Sequence, residues 1–382
     1  MLLNFAHVFD TVGFIPNGLR IYFSNSRSQP PYFPQMVDLY YSYTGDDDFL
    51  RSMVPYILKE IEYFEDSGNH DTTTGLFHYK AIKTGYPRPE SYLEDIETSE
   101  EYYGDVSFDE DISHERYKEE YYHLASGAES GVDFSTRWYV DRKNDPPLDI
   151  TEMDTSYTFT GGALAVDLNS LLHKNLTLVA GYCEKFTDLC DAALYSSRAD
   201  DLKQQMIKYL VAKGPDNLKR FCDYDMDAGA VFDQCHTGFY PTGLTPFVYD
   251  VFDSDNVYVD FDSMRGADWD ASVSGVPTSA YKSADVAYAE QWDGDNVWAP
   301  FHWMYVTALE KANRHADALN EATKWVQSVY CGWIQTDSFF EKYDATVLGL
   351  PGGGGEYGVQ VGFGWTNGLT LRLLFDFGSE MT

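Results

Sequence analysis

The sequence predicts an all-α protein, and three observations carry that expectation. Apolar residues recur at helical spacing in segment after segment, with the longest patterns at Val166 to Leu189, Ala199 to Val211, Pro300 to Ala312 and His315 to Tyr330. Strand-like and helix-like segments do not alternate, so a parallel sheet is not expected. The intervening stretches are rich in Gly, Asp and aromatic residues, as long functional loops are. Of 382 residues, 44% are hydrophobic and 16% aromatic, so a packed core is feasible and disorder is excluded as the main state.

The elements follow in order. Leu2, Phe5, Ala6 and Phe9 share one helical face, so the sequence opens directly into a helix, and it shows neither the basic region nor the cleavage site of a signal peptide. Ile15-Pro16-Asn17-Gly18 is a turn, and Gln35 to Tyr43 forms a second helix. Pro55 is expected to start a third helix, whose apolar face is Ile57, Leu58, Ile61 and Phe64. Asp71 to Gly75 and Phe77 to Ile82 read as a loop and a short extended piece. Between Glu94 and Glu120 lie 12 acidic residues, expected as a solvated loop or exposed helix face anchored by Tyr102, Tyr103, Phe108, Tyr121 and Tyr122. Asp223 to Gly229 has the look of a calcium loop, but its glycine is one place late and Gln234 stands where a bidentate Glu is needed. A short hairpin with solvated acids is the expectation there.

A net charge of −34 argues against nucleic acid and anionic membrane surfaces as partners and favours a neutral, hydroxyl-rich ligand. No apolar run approaches the roughly 18 residues of a membrane span. The histidines show no HExxH or comparable pair, so no catalytic metal is expected. Of five cysteines, at least one is unpaired; one or two disulfides can form, and the sequence does not assign them. Asn175-Leu176-Thr177 is an N-glycosylation acceptor triplet.

The stretch Ser126 to Trp138, SGAESGVDFSTRW, carries the most chemistry. Gly127, Ala128, Ser130 and Gly131 allow close approach of another group to the backbone. Asp133 then sits beside Phe134 and near Trp138, surroundings that desolvate a carboxyl as a general acid requires. A second such stretch, GGGGEYGVQVGFGWTNG from Gly352 to Gly368, lacks the Gly-Lys-Ser/Thr ending of a phosphate loop. Its glycines suit a loop folded over a site, with Glu356, Tyr357, Phe363 and Trp365 projecting from it.

Taken together these motifs resemble one family, the trehalases of glycoside hydrolase family 37. EQWDGDNVWAP (Glu290 to Pro300) is similar to the family's Gln-Trp-Asp signature, and GGGGEY with GFGWTNG to its second signature. Further matches are IPNG (Ile15 to Gly18), RSQPP (Arg27 to Pro31), RPESY (Arg88 to Tyr92), ESGVDFSTRW (Glu129 to Trp138), VDLNSLL (Val166 to Leu172), GVPTS (Gly275 to Ser279) and EKYD (Glu341 to Asp344), all in the family's order.

The resemblance implies an (α/α)6 barrel, or toroid, that hydrolyses α,α-trehalose to two glucose molecules with inversion and without a cofactor. It implies Asp133 as general acid and Glu341 as general base. Asn17, Arg27, Ser28, Gln29, Arg88, Pro89, Glu90, Gly131 and Glu356 match sugar-contacting positions, and Trp292 and Asp293 match the signature beside the pocket. Arg137 is expected to support the Asp133 loop through a structural ion pair. By resemblance the protein is extracellular or membrane-associated; the sequence does not specify an oligomeric state.

Three departures stand out. The family's P-G-G-R and W-D-S-Y-W motifs, which precede IPNG, do not occur, so residues 1–382 are expected to be one catalytic domain with its first helices missing, an incomplete barrel. Val132 stands where the family has tryptophan, and one extra residue lies between Arg20 and Arg27. Two rival readings follow: a catalytically impaired sugar-binding or regulatory homologue, and a barrel enzyme acting on another sugar.

Overall fold

The structure is a computed structural model that describes residues 1–23, 26–82, 84–103, 110–214, 217, 219–252, 271–281, 286, 288–355 and 358–381. Its main helices are α1 (Leu2–Val12), α2 (Phe33–Thr44), α3 (Asp47–Asp66), α4 (Tyr92–Tyr103), α5 (Glu110–Ser130), α6 (Val166–Lys185) and α7 (Ala192–Tyr209). After the one-turn helices α8 (Gln234–Thr237) and α9 (Thr245–Val248) come α10 (Ala299–Lys311), α11 (His315–Thr336) and α12 (Gly364–Phe377). Neighbours in sequence pack as hairpins: α2 on α3, α4 on α5, α6 on α7, and α10 on α11, with α12 closing against both of the last two.

Burial separates two kinds of helix. The C-terminal half of α5 is buried on every side, and so is most of α6, where Asp167, Asn169 and Ser170 are as enclosed as Leu168 and Leu171. A helix buried all round lies inside a layer of others. Among the residues of α7, by contrast, only one stripe is buried (Tyr195, Ala199, Leu202, Met206), and α11 likewise buries one stripe through Ala318, Ala322, Trp325 and Val329. These are outer helices.

Short strands stitch the loops at the ends of the helices. β1 (His70–Asp71) and β2 (Leu76–Phe77) form a hairpin, as do β4 (Val211–Lys213) and β5 (Lys219–Phe221). β3 (Ala163–Leu164), β6 (Tyr224–Asp225) and β7 (Ala230–Val231) form a three-stranded sheet in that order. β8 (Asn296–Trp298) pairs antiparallel with β9 (Lys342–Asp344), Asn296 opposite Asp344 and Trp298 opposite Lys342.

Several expectations need correction. α3 starts at Asp47, not Pro55, because Asp46 caps it by accepting from the Phe49 amide at 2.9 Å. Pro55 sits inside this helix on its exposed side, where water can satisfy the freed carbonyl. α7 begins seven residues early, since Asp191 accepts from the Ala193 amide at 3.0 Å. The acidic segment holds α4 and α5, and it is not solvated throughout: Asp95 and Glu120 are buried. Its tyrosines anchor it as expected, Tyr102 edge-on to Tyr157 with centroids 5.6 Å apart; Phe108 lies outside the described residues. The hairpin at 223–231 is present as β6–β7, but Asp223 and Asp225 are buried ion-pair partners of Arg137 and Arg142.

Candidate active site

The site is built where α5 ends. Ser130 closes the helix, donating to the Gly127 carbonyl at 2.6 Å and accepting from the Val132 amide at 3.0 Å. Gly131 then turns the chain at φ +71°, a conformation that L side chains rarely adopt, and a Cβ there would press on Gln29. A Cβ on Gly127 would meet the Phe134 ring at 2.6 Å, so the small residues do serve close packing. Ser135 caps a 3-10 turn at Thr136–Trp138.

Residues far away in sequence hold this loop. The Trp292 amide donates to the Phe134 carbonyl at 3.1 Å, and the Gln291 side-chain amide donates to the Asp133 carbonyl. The buried Asp293 carboxylate accepts from Ser135 Oγ at 2.9 Å, Thr136 N at 2.8 Å and Thr136 Oγ1 at 3.0 Å. Burial raises its pKa to about 6, in spite of these bonds. Arg137 is the structural ion pair expected of it, clamped between Asp167 and Asp223 at 2.7 Å each. Burial alone would lower its pKa, and the two carboxylates outweigh that and raise it.

Glu341 reaches the same place through the β8–β9 pairing, which sets the 341–344 motif against the 290–300 motif. Its carbonyl accepts from the Trp365 indole at 2.9 Å, and its carboxylate from the Gln360 amide at 3.3 Å. The next residue, Lys342, is 1% exposed and donates to Gln291 Oε1 at 3.4 Å and to the Gly354 carbonyl at 3.1 Å. Burial pulls its pKa down to about 8, opposed by the Glu341 charge. One side chain, Gln291, therefore touches the Asp133 backbone with one end and the neighbour of Glu341 with the other. The glycine loop folds onto the same point: Gly353 N donates to Asn296 Oδ1 at 3.0 Å, and a Cβ on Gly355 would strike Gln291. Glu356 and Tyr357 lie outside the described residues.

Behind the loop lies a cavity of about 360 Å³. Asn17, Gln29, Gly131 and Trp292 line it, as do Val132 and Trp365, the immediate supports of the two acids. Asp133 and Glu341 themselves are not part of that lining, which does include the carboxylates of Glu60 and Asp167. Trp292 stacks on Trp298 at 3.9 Å and meets Trp365 edge-on, giving the wall a rigid aromatic surface. Asn17 is fixed by donating to the Ala128 carbonyl at 2.9 Å.

The remaining predicted residues, Arg27, Ser28, Arg88, Pro89 and Glu90, are not part of that lining. Arg88 lies over its ring at 5.2 Å and pairs with Asp95 at 2.6 Å. Arg88 and Pro89 line a second cavity of about 300 Å³, with Tyr121 and Tyr122. Arg27 pairs with Glu90; its Nε and Nη1, fully buried, have no hydrogen-bond partner among the described residues. Ser28 is turned to Glu129, which accepts from its amide at 2.9 Å and its hydroxyl at 2.6 Å. Glu129, Gln291 and Lys342 were not singled out in the sequence. All three lie inside motifs noted above, yet only the fold reveals that they join one motif to another.

The class is thus defined first: a toroid of helical hairpins with a carboxylate-bearing, tryptophan-walled pocket at the loop end. Comparison with known proteins narrows it. The family described as Trehalase matches residues 1–378, and the chain belongs to the trehalase family. It is 35% identical to a trehalase of Apis mellifera over 397 residues, covering all of this chain and 58% of the relative. It is 31% identical to the Homo sapiens trehalase, covering 62% of that protein, and 32% identical to a periplasmic trehalase of Escherichia coli, covering 98% of this chain and again 62% of the relative. The chain spans about three fifths of the length of these relatives. A neutral trehalase of Saccharomyces cerevisiae superposes with a TM-score of 0.75 at 19% identity, over 98% of this chain and 67% of that one. The fold is accordingly that of the (α/α)6 barrel.

Proposed function

We propose that this chain hydrolyses α,α-trehalose to two glucose molecules with inversion, Asp133 acting as acid and Glu341 as base. The observation that carries this reading is the Gln291 bridge, which ties the backbone of one acid to the neighbour of the other across a gap of 208 positions. In the proposed step Asp133 gives its proton to the glycosidic oxygen as the bond to the anomeric carbon breaks. Glu341 takes a proton from water, whose oxygen bonds that carbon from the opposite face. An inverting pair stands roughly 6.5–9.5 Å apart to admit this water. The unpartnered Nε and Nη1 of Arg27 suit sugar hydroxyls, since buried donors left open call for a ligand. Asn17, Gln29, Gly131 and Trp292 would contact the sugar from the pocket wall; Arg88, Pro89 and Glu90 would hold the far side; Ser28 and Asp293 would act by fixing loops. Glu356 would contact sugar from the glycine loop.

We further place the protein, by this reading, in an oxidising compartment outside the cytosol or at a membrane surface. Disulfides Cys183–Cys190 and Cys222–Cys235 support that, since such bonds persist there. Among the described residues, no helix is long and apolar enough to cross a membrane.

The test is glucose release from trehalose by this chain and by Asp133→Asn and Glu341→Gln. The reading expects release by the first and a loss of about 10²–10⁴-fold in each variant. Equal rates from all three would overturn the acid–base assignment. Trehalose binding without release would favour the impaired sugar-binding homologue.

A further inference from the structure

Glu60 stands out among the acids of this chain. It lies on the buried stripe of α3, one turn after Ile57 and next to Ile61, where every neighbour in the stripe is apolar. It is 4% exposed, and its Oε2 is fully buried with no hydrogen-bond partner among the described residues. Acidic side chains are almost never buried without a partner, because an unpaired carboxyl forfeits its hydration. A core position of this kind would hold Leu or Met at lower cost, so the carboxyl needs a reason to be there.

The reason is its position on the pocket. Glu60 lines the same 360 Å³ cavity as Asn17, Gln29, Gly131 and Trp292; the other carboxylate of that lining, Asp167, is paired with Arg137. We infer that the Glu60 carboxyl is a ligand-contacting group, bound to a sugar hydroxyl in this cavity. No described residue hydrogen-bonds Glu60 Oε2, and a ligand hydroxyl would meet that oxygen. Burial raises the Glu60 pKa to about 8, so at neutral pH the group is mainly a carboxylic acid. That form both donates and accepts, which matches a hydroxyl, itself a donor and an acceptor. The aromatic walls would take the apolar faces of the ring and the carboxyl one of its polar edges, the usual division of labour in a ligand pocket. Nothing in the sequence motifs marks Glu60; it is legible only from the cavity.

This inference rests on the pocket being a sugar site, as proposed above, but not on the assignment of acid and base. The experiment therefore measures binding apart from turnover. Trehalose affinity is read by calorimetry in the Asp133→Asn background, for Glu60, Glu60→Gln and Glu60→Leu, alongside thermal melting of each. Glu60→Gln keeps a donor and an acceptor and is expected to stay within about threefold of the parent. Glu60→Leu is expected to bind roughly ten- to a hundredfold more weakly while melting no lower, because only the ligand contact is lost. A set of monodeoxytrehaloses then separates contact from a packing role. One of them should lose affinity in the parent and lose none further in Glu60→Leu, the non-additivity of two groups that touch. Unchanged trehalose affinity in Glu60→Leu, or strictly additive losses for every deoxy sugar, would overturn the inference. Hydrolysis by the unmodified chain with unchanged binding by Glu60→Leu would uphold the proposed function and sink only this inference. Glu60-dependent binding with no hydrolysis would do the reverse. Absence of both binding and hydrolysis would overturn the two together.

Discussion

Replacing Asp293 by Ala should damage stability and turnover together. The carboxylate receives three hydrogen bonds from Ser135 and Thr136, the turn that follows Asp133. Thr136 Oγ1 keeps an alternative, the Tyr240 hydroxyl at 2.8 Å, and Ser135 Oγ remains an acceptor for the Arg137 amide. The Thr136 amide has no such recourse and would be left buried and unsatisfied. That cost, with the lost charge-assisted bonds and less the relief of desolvating a carboxylate, comes to about 2–4 kcal/mol. A shift of about 1 Å in the neighbouring acid lowers kcat roughly a hundredfold. The pH dependence adds a sign. With a folded pKa near 6 against 3.8, the native state holds its proton more tightly than the unfolded chain. The stabilisation this gives is full below about pH 4 and is lost as pH rises through 6. Between pH 4.5 and 7.5 the native chain should lose about 2 kcal/mol that Asp293→Asn does not lose. Urea unfolding at the two pH values and initial rates of glucose release measure all three effects. A variant within about 0.5 kcal/mol of the parent, with unchanged kcat, would refute the reasoning.

Other outcomes follow from the same contacts. Arg137→Met strands Asp167 and Asp223 without their cation, and urea unfolding should report a loss of about 3–5 kcal/mol. Glu60, with its folded pKa raised to about 8, contributes stability that is lost as pH rises through that value; by urea unfolding the native chain should lose about 2–3 kcal/mol between pH 6 and 9, and Glu60→Gln should stay flat. Cys222→Ser with Cys235→Ser opens a cross-link spanning 13 positions and should lower stability by about 3 kcal/mol, read by the same assay. Gln291→Leu cuts the bridge between the two motifs, and kcat for trehalose should fall at least tenfold while KM changes little, since a positioning residue acts on the reacting geometry.

Much of this was legible in the sequence because it resides in local patterns. The boundaries of α10 follow directly from the periodic residues, and the small residues before Asp133 do pack against Phe134 and Gln29. A helix start is hidden where a cap outranks a proline: Asp46 opens α3 well before Pro55. The buried acids are hidden for a different reason. Asp223, Asp225 and Asp95 look like any surface aspartate until the fold supplies Arg137, Arg142 and Arg88. Ser28 sits within a motif that reads as sugar-contacting, yet its hydroxyl is spent on Glu129, and only tertiary contact reveals that. Glu60 was hidden most deeply, since a single glutamate between helical apolar residues has no local signature.

The most direct test is the anomeric form of the first glucose released, followed by proton NMR before mutarotation. Attack by water from the face opposite the leaving sugar predicts α- and β-glucose in equal amounts from the earliest points. Release of α-glucose alone would mean that water and leaving group share a face, and the pairing of Asp133 with Glu341 as acid and base would be wrong.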